Sequence, residues 1–293
     1  MDFKKLSLED LDVIKPFLSL GKTDICDLTM GGIFLWRDYY KTEFCIEDDI
    51  FISRLYSENG EVYYNLPLCK DVEKGIKKII SKNQHKDNVI RFCTIPEGYL
   101  PLFREISEKV SFSEQVDNFD YVYRSEDLSF LKGRKYSAQR NHISQFKRLA
   151  PDWKFLDIKD VPVEEVKSFF RNFCKNNEAI TPLEIAENKF IEEVFDNLDT
   201  YNMLGGVLTA DKKVIGFSFG EIMGNTLFTH IEKADRNYKG AYQMLTNQFT
   251  FMFSRGTEFI NREDDTGDEG LRKAKNAYHP VALLKKYVVE VKI

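Results

Sequence analysis

Residues 203–232 hold three strand-like runs, 203–209, 214–221 and 226–232, parted by the short turns Ala210-Asp211-Lys212-Lys213 and Met223-Gly224-Asn225. Connections this short join only antiparallel neighbours, because a parallel pair needs a crossover of a dozen or more residues. A β-meander is therefore predicted here, followed by a helix at 241–253.

The rest of the chain arranges itself around that element. In the first half, helices are predicted at 8–18, 72–80 and 100–110, and strands at 44–46, 50–56, 62–66, 89–94 and 121–123. Asn59-Gly60 marks a hairpin between two of those strands. In the second half, a basic helix at 137–149 and a strand at 153–156 lead into helices at 163–174 and 183–198. Thr181 caps the latter, with Pro182 in its first turn. After the meander and its helix come strand 258–260, helix 271–277 and strand 287–292. No residue-level repeat exists, yet both halves read as helix, antiparallel strands, helix, strand, helix, strand. The predicted class is α/β (α+β), built as two similar domains, 1–125 and 126–293. A length of 293 residues fits two domains at roughly 150 residues each.

Composition narrows the function. With 43% apolar and 30% charged residues the chain can build packed cores. The longest apolar run, 29–36, is far short of the roughly 20 residues that span a bilayer. The start, Met1 to Asp10, has early acids and no apolar core region, so a cytoplasmic protein is expected. Five scattered cysteines without a CxxC pair suggest small buried residues in a reducing compartment. The aromatic group Phe34, Trp36, Tyr39 and Tyr40 reads as core. His85, His142, His230 and His279 show no metal-ligand spacing, so no metal is expected. There is no GxSxG elbow or P-loop, so hydrolase and NTPase chemistry have no support.

Chemistry concentrates where the meander ends. Strand alternation places His230 and Glu232 on one face, where they could orient a carbonyl or accept a proton; pairing of Glu232 with a nearby cation and packing of His230 in the sheet is the other reading. The turn that follows, Arg236-Asn237-Tyr238-Lys239-Gly240-Ala241, leads from strand to helix, an arrangement that presents backbone N–H groups to an anion. It resembles the coenzyme A loop of the GNAT acyltransferases, [Q/R]-x-x-G-x-[G/A]. Arg236 and Ala241 fit that pattern, and Lys239 stands in place of the first glycine.

A second constellation runs from Asn261 through Arg262, Glu263, Asp264 and Asp265, past Gly267 and Gly270, into a helix that carries Arg272 and Lys275. Acids first and bases later suit the helix dipole, and the same residues suit a polar pocket. Acids there would hold an ammonium group, and Arg262, Arg272 or Lys275 a phosphate or carboxylate. The pattern N-R-E-D-D-x-G-x-x-G-L-R-K-A-K-x-x-Y-x-P, with H-x-E-K-A about thirty residues earlier and Arg140-Asn141 in the basic helix, resembles the phosphatidylglycerol lysyltransferase C-terminal-domain family. The resemblance is strongest over 124–293.

That resemblance implies two tandem GNAT-like domains, an architecture shared with Fem-type aminoacyltransferases, and a bacterial acyltransferase with an aminoacyl-tRNA donor and no bound cofactor. It assigns Glu232 as acid/base and His230 as its orienting partner. Arg262, Glu263 and Asp264 would line the aminoacyl pocket, Arg272 and Lys275 would hold an anionic group, and Arg140 with Asn141 would brace the site. The anion loop would be Arg236, Lys239, Gly240 and Ala241. Full lysyltransferases carry a multi-helix membrane domain ahead of this part, and these residues include none, so the acceptor is open: a lipid head group, a soluble small molecule, a peptide or a protein. The alternatives are a coenzyme A-dependent N-acyltransferase, which Lys239 disfavours, and a non-catalytic ligand-binding relative.

The net charge, 42 Lys+Arg against 47 Asp+Glu, excludes a protein that coats nucleic acid. Local basicity survives: Lys132, Arg134, Lys135, Arg140, Lys147 and Arg148 have no acid among them. Such a run is either a solvated helix face or a grip for the acceptor end of a tRNA or an anionic head group, with Tyr136 and Trp153 as candidate stacking residues.

Overall fold

The meander is present in the computed structural model, which describes residues 1–21, 24–84, 88–176 and 181–293. His85 lies outside the described residues. The described strands, in chain order, are β1 Lys4–Lys5, β2 Glu43–Glu47, β3 Ile50–Tyr56, β4 Val62–Tyr64, β5 Val89–Pro96, β6 Val110–Glu114 and β7 Asp120–Arg124, then β8 Lys154–Asp157, β9 Leu204–Ala210, β10 Lys213–Met223, β11 Thr226–Ala234, β12 Phe259–Asn261, β13 Ala282–Leu284 and β14 Lys286–Lys292. They form two mixed, mostly antiparallel sheets, each flanked by helices, which is the predicted class.

The first unit comprises 1–120, 264–267 and 284–293. Its sheet runs β1-β2-β3-β4-β5-β14-β6. The 59–60 turn joins β3 to β4 as an antiparallel hairpin, with Gly60 at φ +79°. Among its described strands only β4 and β5 pair in parallel. Phe44, Phe51, Phe92 and Phe103 are among its largest buried side chains, each worth roughly 1.5–3 kcal/mol of burial. Phe34 joins the core as predicted, whereas Trp36, Tyr39 and Tyr40 are partly exposed.

The second unit comprises 121–263 and 268–283, with sheet order β13-β7-β12-β11-β10-β9-β8. The β9–β10 turn sets both Asp211 and Lys212 at positive φ, the two-residue geometry that matches strand twist. Helix Ala241–Phe253 buries Met244, Leu245 and Phe249 in a cluster with Leu208, Leu227, Ile260 and Tyr123 on one face of the sheet. On the other face Phe217 and Phe219 pack against Phe195 of helix Pro182–Asp196, and Phe217 also meets Phe170 of helix Val163–Lys175.

Two strands change places relative to the predicted division at 125/126. β7 lies in the sheet of the second unit, antiparallel to β12. β14 inserts into the first unit's sheet, antiparallel to both β5 and β6. The period-2 pattern of Tyr287, Val289 and Val291, all buried, identifies a strand but not the sheet that receives it. The predicted helix 100–110 ends at Ile106, and β6 follows as an edge strand whose side chains are exposed or half-buried, too weak an apolar pattern to read.

Candidate active site

The site is shaped by a β-bulge. Along the β10–β11 pair, Phe219 faces Ile231 and the next residue, Gly220, faces Thr229, so His230 is the extra residue. Gly220 is needed there: a Cβ would lie 2.2 Å from the Phe228 carbonyl oxygen. The bulge breaks the alternation on which the pairing of His230 with Glu232 was predicted. The two residues hydrogen-bond on opposite sides of the sheet. His230 reaches Glu221, which alternates along β10 with Phe217 and Phe219. Glu232 reaches Thr246, on the helix that covers the other face.

His230 is held at both ring nitrogens. Nδ1 lies 2.6 Å from Glu263 Oε1 and Nε2 lies 2.9 Å from Glu221 Oε1, and the ring is fully buried. Burial alone would push the imidazole pKa down, but the hydrogen bonds to Glu221 and Glu263 outweigh it and hold it up at about 10. At neutral pH the ring is therefore an imidazolium held between Glu221 and Glu263. It is no base in that state. Glu263 arrives through a left-handed backbone, φ +58°, steadied by the hydrogen bond from its N–H to Asn261 Oδ1 at 2.7 Å and by its carbonyl accepting from Tyr121 N–H.

The second network is neutral overall. Glu232 Oε2 accepts from Arg262 Nη2 at 2.5 Å, and Oε1 accepts from the Thr246 hydroxyl at 2.7 Å. The guanidinium carbon sits 5.1 Å from the Tyr278 ring centre and 6.0 Å from that of Tyr123, within cation–π range. Burial disfavours the Arg262 charge, and the Glu232 carboxylate more than offsets that, so its pKa is raised. Its Nε and Nη1 are buried without a hydrogen-bond partner among the described residues. Both oxygens of the Glu232 carboxylate are thus engaged, by Arg262 and Thr246.

The other predicted residues separate. Lys275 is buried and donates to the Arg262 carbonyl at 2.6 Å, while Tyr123 Oη donates to the Lys275 carbonyl. It supports the strand end that carries Arg262. Asp264 belongs to the first unit, where its Oδ2 lies 3.8 Å from Lys286 Nζ and its Oδ1 accepts from Thr266 N–H. Arg272 is half-buried on helix Glu269–Asn276. Arg140 does not reach the histidine: its Nη1 donates to the Leu131 and Gly133 carbonyls at 2.5 and 2.6 Å, and Asn141 is exposed beside it. Tyr136 is fully buried, so it cannot stack on a base, and Trp153 lies partly buried under Lys147.

The predicted anion loop has a packing explanation. Ala241 N–H donates to the Tyr238 carbonyl and Asn237 N–H to the Asp235 carboxylate. Gly240 sits at φ +88°, and a Cβ there would lie 2.2 Å from the His142 carbonyl of helix Ser137–Leu149. The glycine is thus required by helix contact. Arg236 and Lys239 are exposed.

The sequence reading missed Glu221, Thr246, Tyr123 and Tyr278. Glu221 had a signal: it is the one charged residue in 214–223. Such a carboxylate inside an apolar strand needs a buried partner.

Residues 19–290 match the family described as phosphatidylglycerol lysyltransferase, C-terminal. The chain belongs to this family. A solved structure of a conserved protein of unknown function from Bacteroides thetaiotaomicron is 29% identical, with TM-score 0.87 and all of both chains covered. The C-terminal domain of a candidate lysylphosphatidylglycerol synthetase from Agrobacterium fabrum shares the fold at 12% identity, TM-score 0.70, over 97% of this chain and 92% of that one. Among curated proteins, an uncharacterised protein of Mycoplasmoides gallisepticum is 25% identical over 176 residues, 59% of this chain and 56% of that protein, so the match spans little more than half of its length. No described helix is long and apolar enough to cross a membrane.

Proposed function

We propose that this chain is an acyltransferase that moves an aminoacyl group from a charged tRNA to a nucleophilic acceptor. Family membership supports the reaction class, and one observation carries the reading of the site: an imidazolium, His230, locked between the side chains of Glu221 and Glu263. Such a cluster suits the ammonium group of an aminoacyl ester. In the transfer, the acceptor's lone pair forms a bond to the ester carbonyl carbon. The ester C–O bond breaks, and the acceptor's proton ends on the departing ribose hydroxyl. The ester is already activated, so alignment and charge stabilisation suffice. Glu221 and Glu263 hold the donor's ammonium. Arg262, kept in place by Glu232 and Thr246 on the other side of the sheet, steadies the strand end that carries Glu263. The exposed Lys132, Arg134 and Arg148 are the phosphate contacts we assign to the tRNA end. This reading puts the protein in the cytoplasm, with charged tRNA.

The test is loss of label from aminoacyl-tRNA when purified protein meets a panel of lipid, amine and peptide acceptors. Consumption of donor with any acceptor, and no thermal shift with acetyl-coenzyme A, is the expected result. A shift with acetyl-coenzyme A and no use of charged tRNA would replace this reading with the coenzyme A one.

A further inference from the structure

Away from the histidine cluster, the first unit buries a second reactive group. Lys286, the first residue of β14, has no exposed side-chain surface. Its Nζ donates to Asp120 Oδ1 at 2.6 Å, pairs with Asp27, and lies 3.4 Å from Cys26 Sγ. Cys26 opens the short 3-10 turn Cys26–Leu28, and its backbone N–H donates to Asp120 Oδ2 at 2.7 Å, which fixes the thiol's position. The thiol itself lies 3.2 Å from Asp120 Oδ1. Cys26, Asp27 and Asp120 converge closely enough to ligate a metal ion, but the Lys286 ammonium already supplies the positive charge among them.

What distinguishes this group is a thiol and an amine in contact, with carboxylates on both. Among the described residues, the hydrogen bonds of Cys69 and Cys93 run to backbone carbonyls and an asparagine. Cys26 instead meets the ammonium of a lysine. We infer that Cys26 and Lys286 are an oxidation-sensitive pair that closes into a covalent S–O–N bridge in the presence of a peroxide.

The chemistry balances with two equivalents of hydrogen peroxide. Asp120 takes the thiol proton, sulfur attacks the first peroxide, its O–O bond breaks, and sulfenic acid and water result. The second equivalent oxidises the amine nitrogen, an N–O bond replaces an N–H bond, and condensation with the sulfenic acid expels water. In sum, thiol, ammonium and two peroxides give the S–O–N link, three waters and one proton. Sulfur and nitrogen together lose four electrons, which the two peroxides accept. Asp27, whose side chain is 25% exposed, passes the surplus proton to solvent and marks the route by which a small oxidant enters. An S–O–N link also spans more of the 3.4 Å separation than a direct S–N bond, so less movement is needed. The bridge ties residue 26 to the start of β14, the last strand of the sheet.

The experiment is peroxide treatment of the folded full chain, followed by digestion and mass spectrometry. The expected product joins the Cys26 and Lys286 peptides with the mass of one added oxygen less two hydrogens. It disappears on treatment with a thiol reductant, and the oxidised protein melts at a higher temperature than the reduced one. Cys26→Ser, a near-isosteric change, is expected to give neither the joined peptide nor the shift. Cys26 recovered as free sulfinic acid, or a joined peptide lacking the oxygen, overturns the proposal.

Discussion

The two sheets share one strand plan, five consecutive strands followed by two from elsewhere, and they differ in what they place on it. In both, a parallel pair sits in the middle, β4–β5 in the first and β11–β12 in the second. Tyr64 pairs with Phe92 as Phe228 pairs with Asn261, so positions can be matched. Two residues beyond, each chain turns left-handed: Thr94 at φ +50° and Glu263 at φ +58°. By the same matching Arg54 corresponds to Glu221, since they face Tyr64 and Phe228. Two residues past those partners, Leu66 corresponds to His230. One frame therefore carries carboxylate, histidine and carboxylate; the other carries arginine, leucine and threonine. A β-branched residue at positive φ is costly, and Thr94 bears that cost. The left-handed turn belongs to the way the chain leaves the parallel pair, and the two units differ in the side chains placed on it.

Giving the second frame the residue of the first should produce the largest effect. His230→Leu leaves Glu221 and Glu263 buried without their cation, and a loss of about 3–5 kcal/mol in denaturant unfolding is expected. A loss well below that range would mean the cluster is solvated and the contrast with Leu66 is empty. The next effect is in pH. The folded pKa of His230, about 10, lies above its unfolded value near 6.5, so its stabilisation is complete below that unfolded value. It drains away as pH rises toward 10. Unfolding curves across that range should show wild type losing stability while His230→Gln, having no such group, does not. The smallest effect belongs to the frame itself. Thr94→Asn, which tolerates a left-handed backbone, should stabilise the first unit by up to about 1 kcal/mol in thermal melts, and a destabilisation would show that Thr94's own contacts outweigh its strain.

The sequence disclosed the frame better than the site. Short turns dictated the meander, and the apolar periodicity of helix 241–253 gave the layer that covers it. Which sheet receives β7 or β14 was not written locally, because a strand's pattern is the same wherever it pairs. Nor could His230 and Glu232 be separated from sequence alone. The bulge depends on Gly220, a residue of the neighbouring strand, and one inserted residue reverses which face a side chain meets. Strand alternation points to Glu232 as the partner of His230, whereas in the structure that partner is Glu221, a lone charge in an apolar strand.

In the proposed function the reaction resides in the Glu221–His230–Glu263 cluster of the second unit. Single-turnover transfer from labelled aminoacyl-tRNA, compared among wild type, Glu263→Gln and Arg54→Gln, tests it most directly. A rate lowered about 100-fold or more in Glu263→Gln, with Arg54→Gln unchanged, is the expected result. Equal rates in wild type and Glu263→Gln would contradict it.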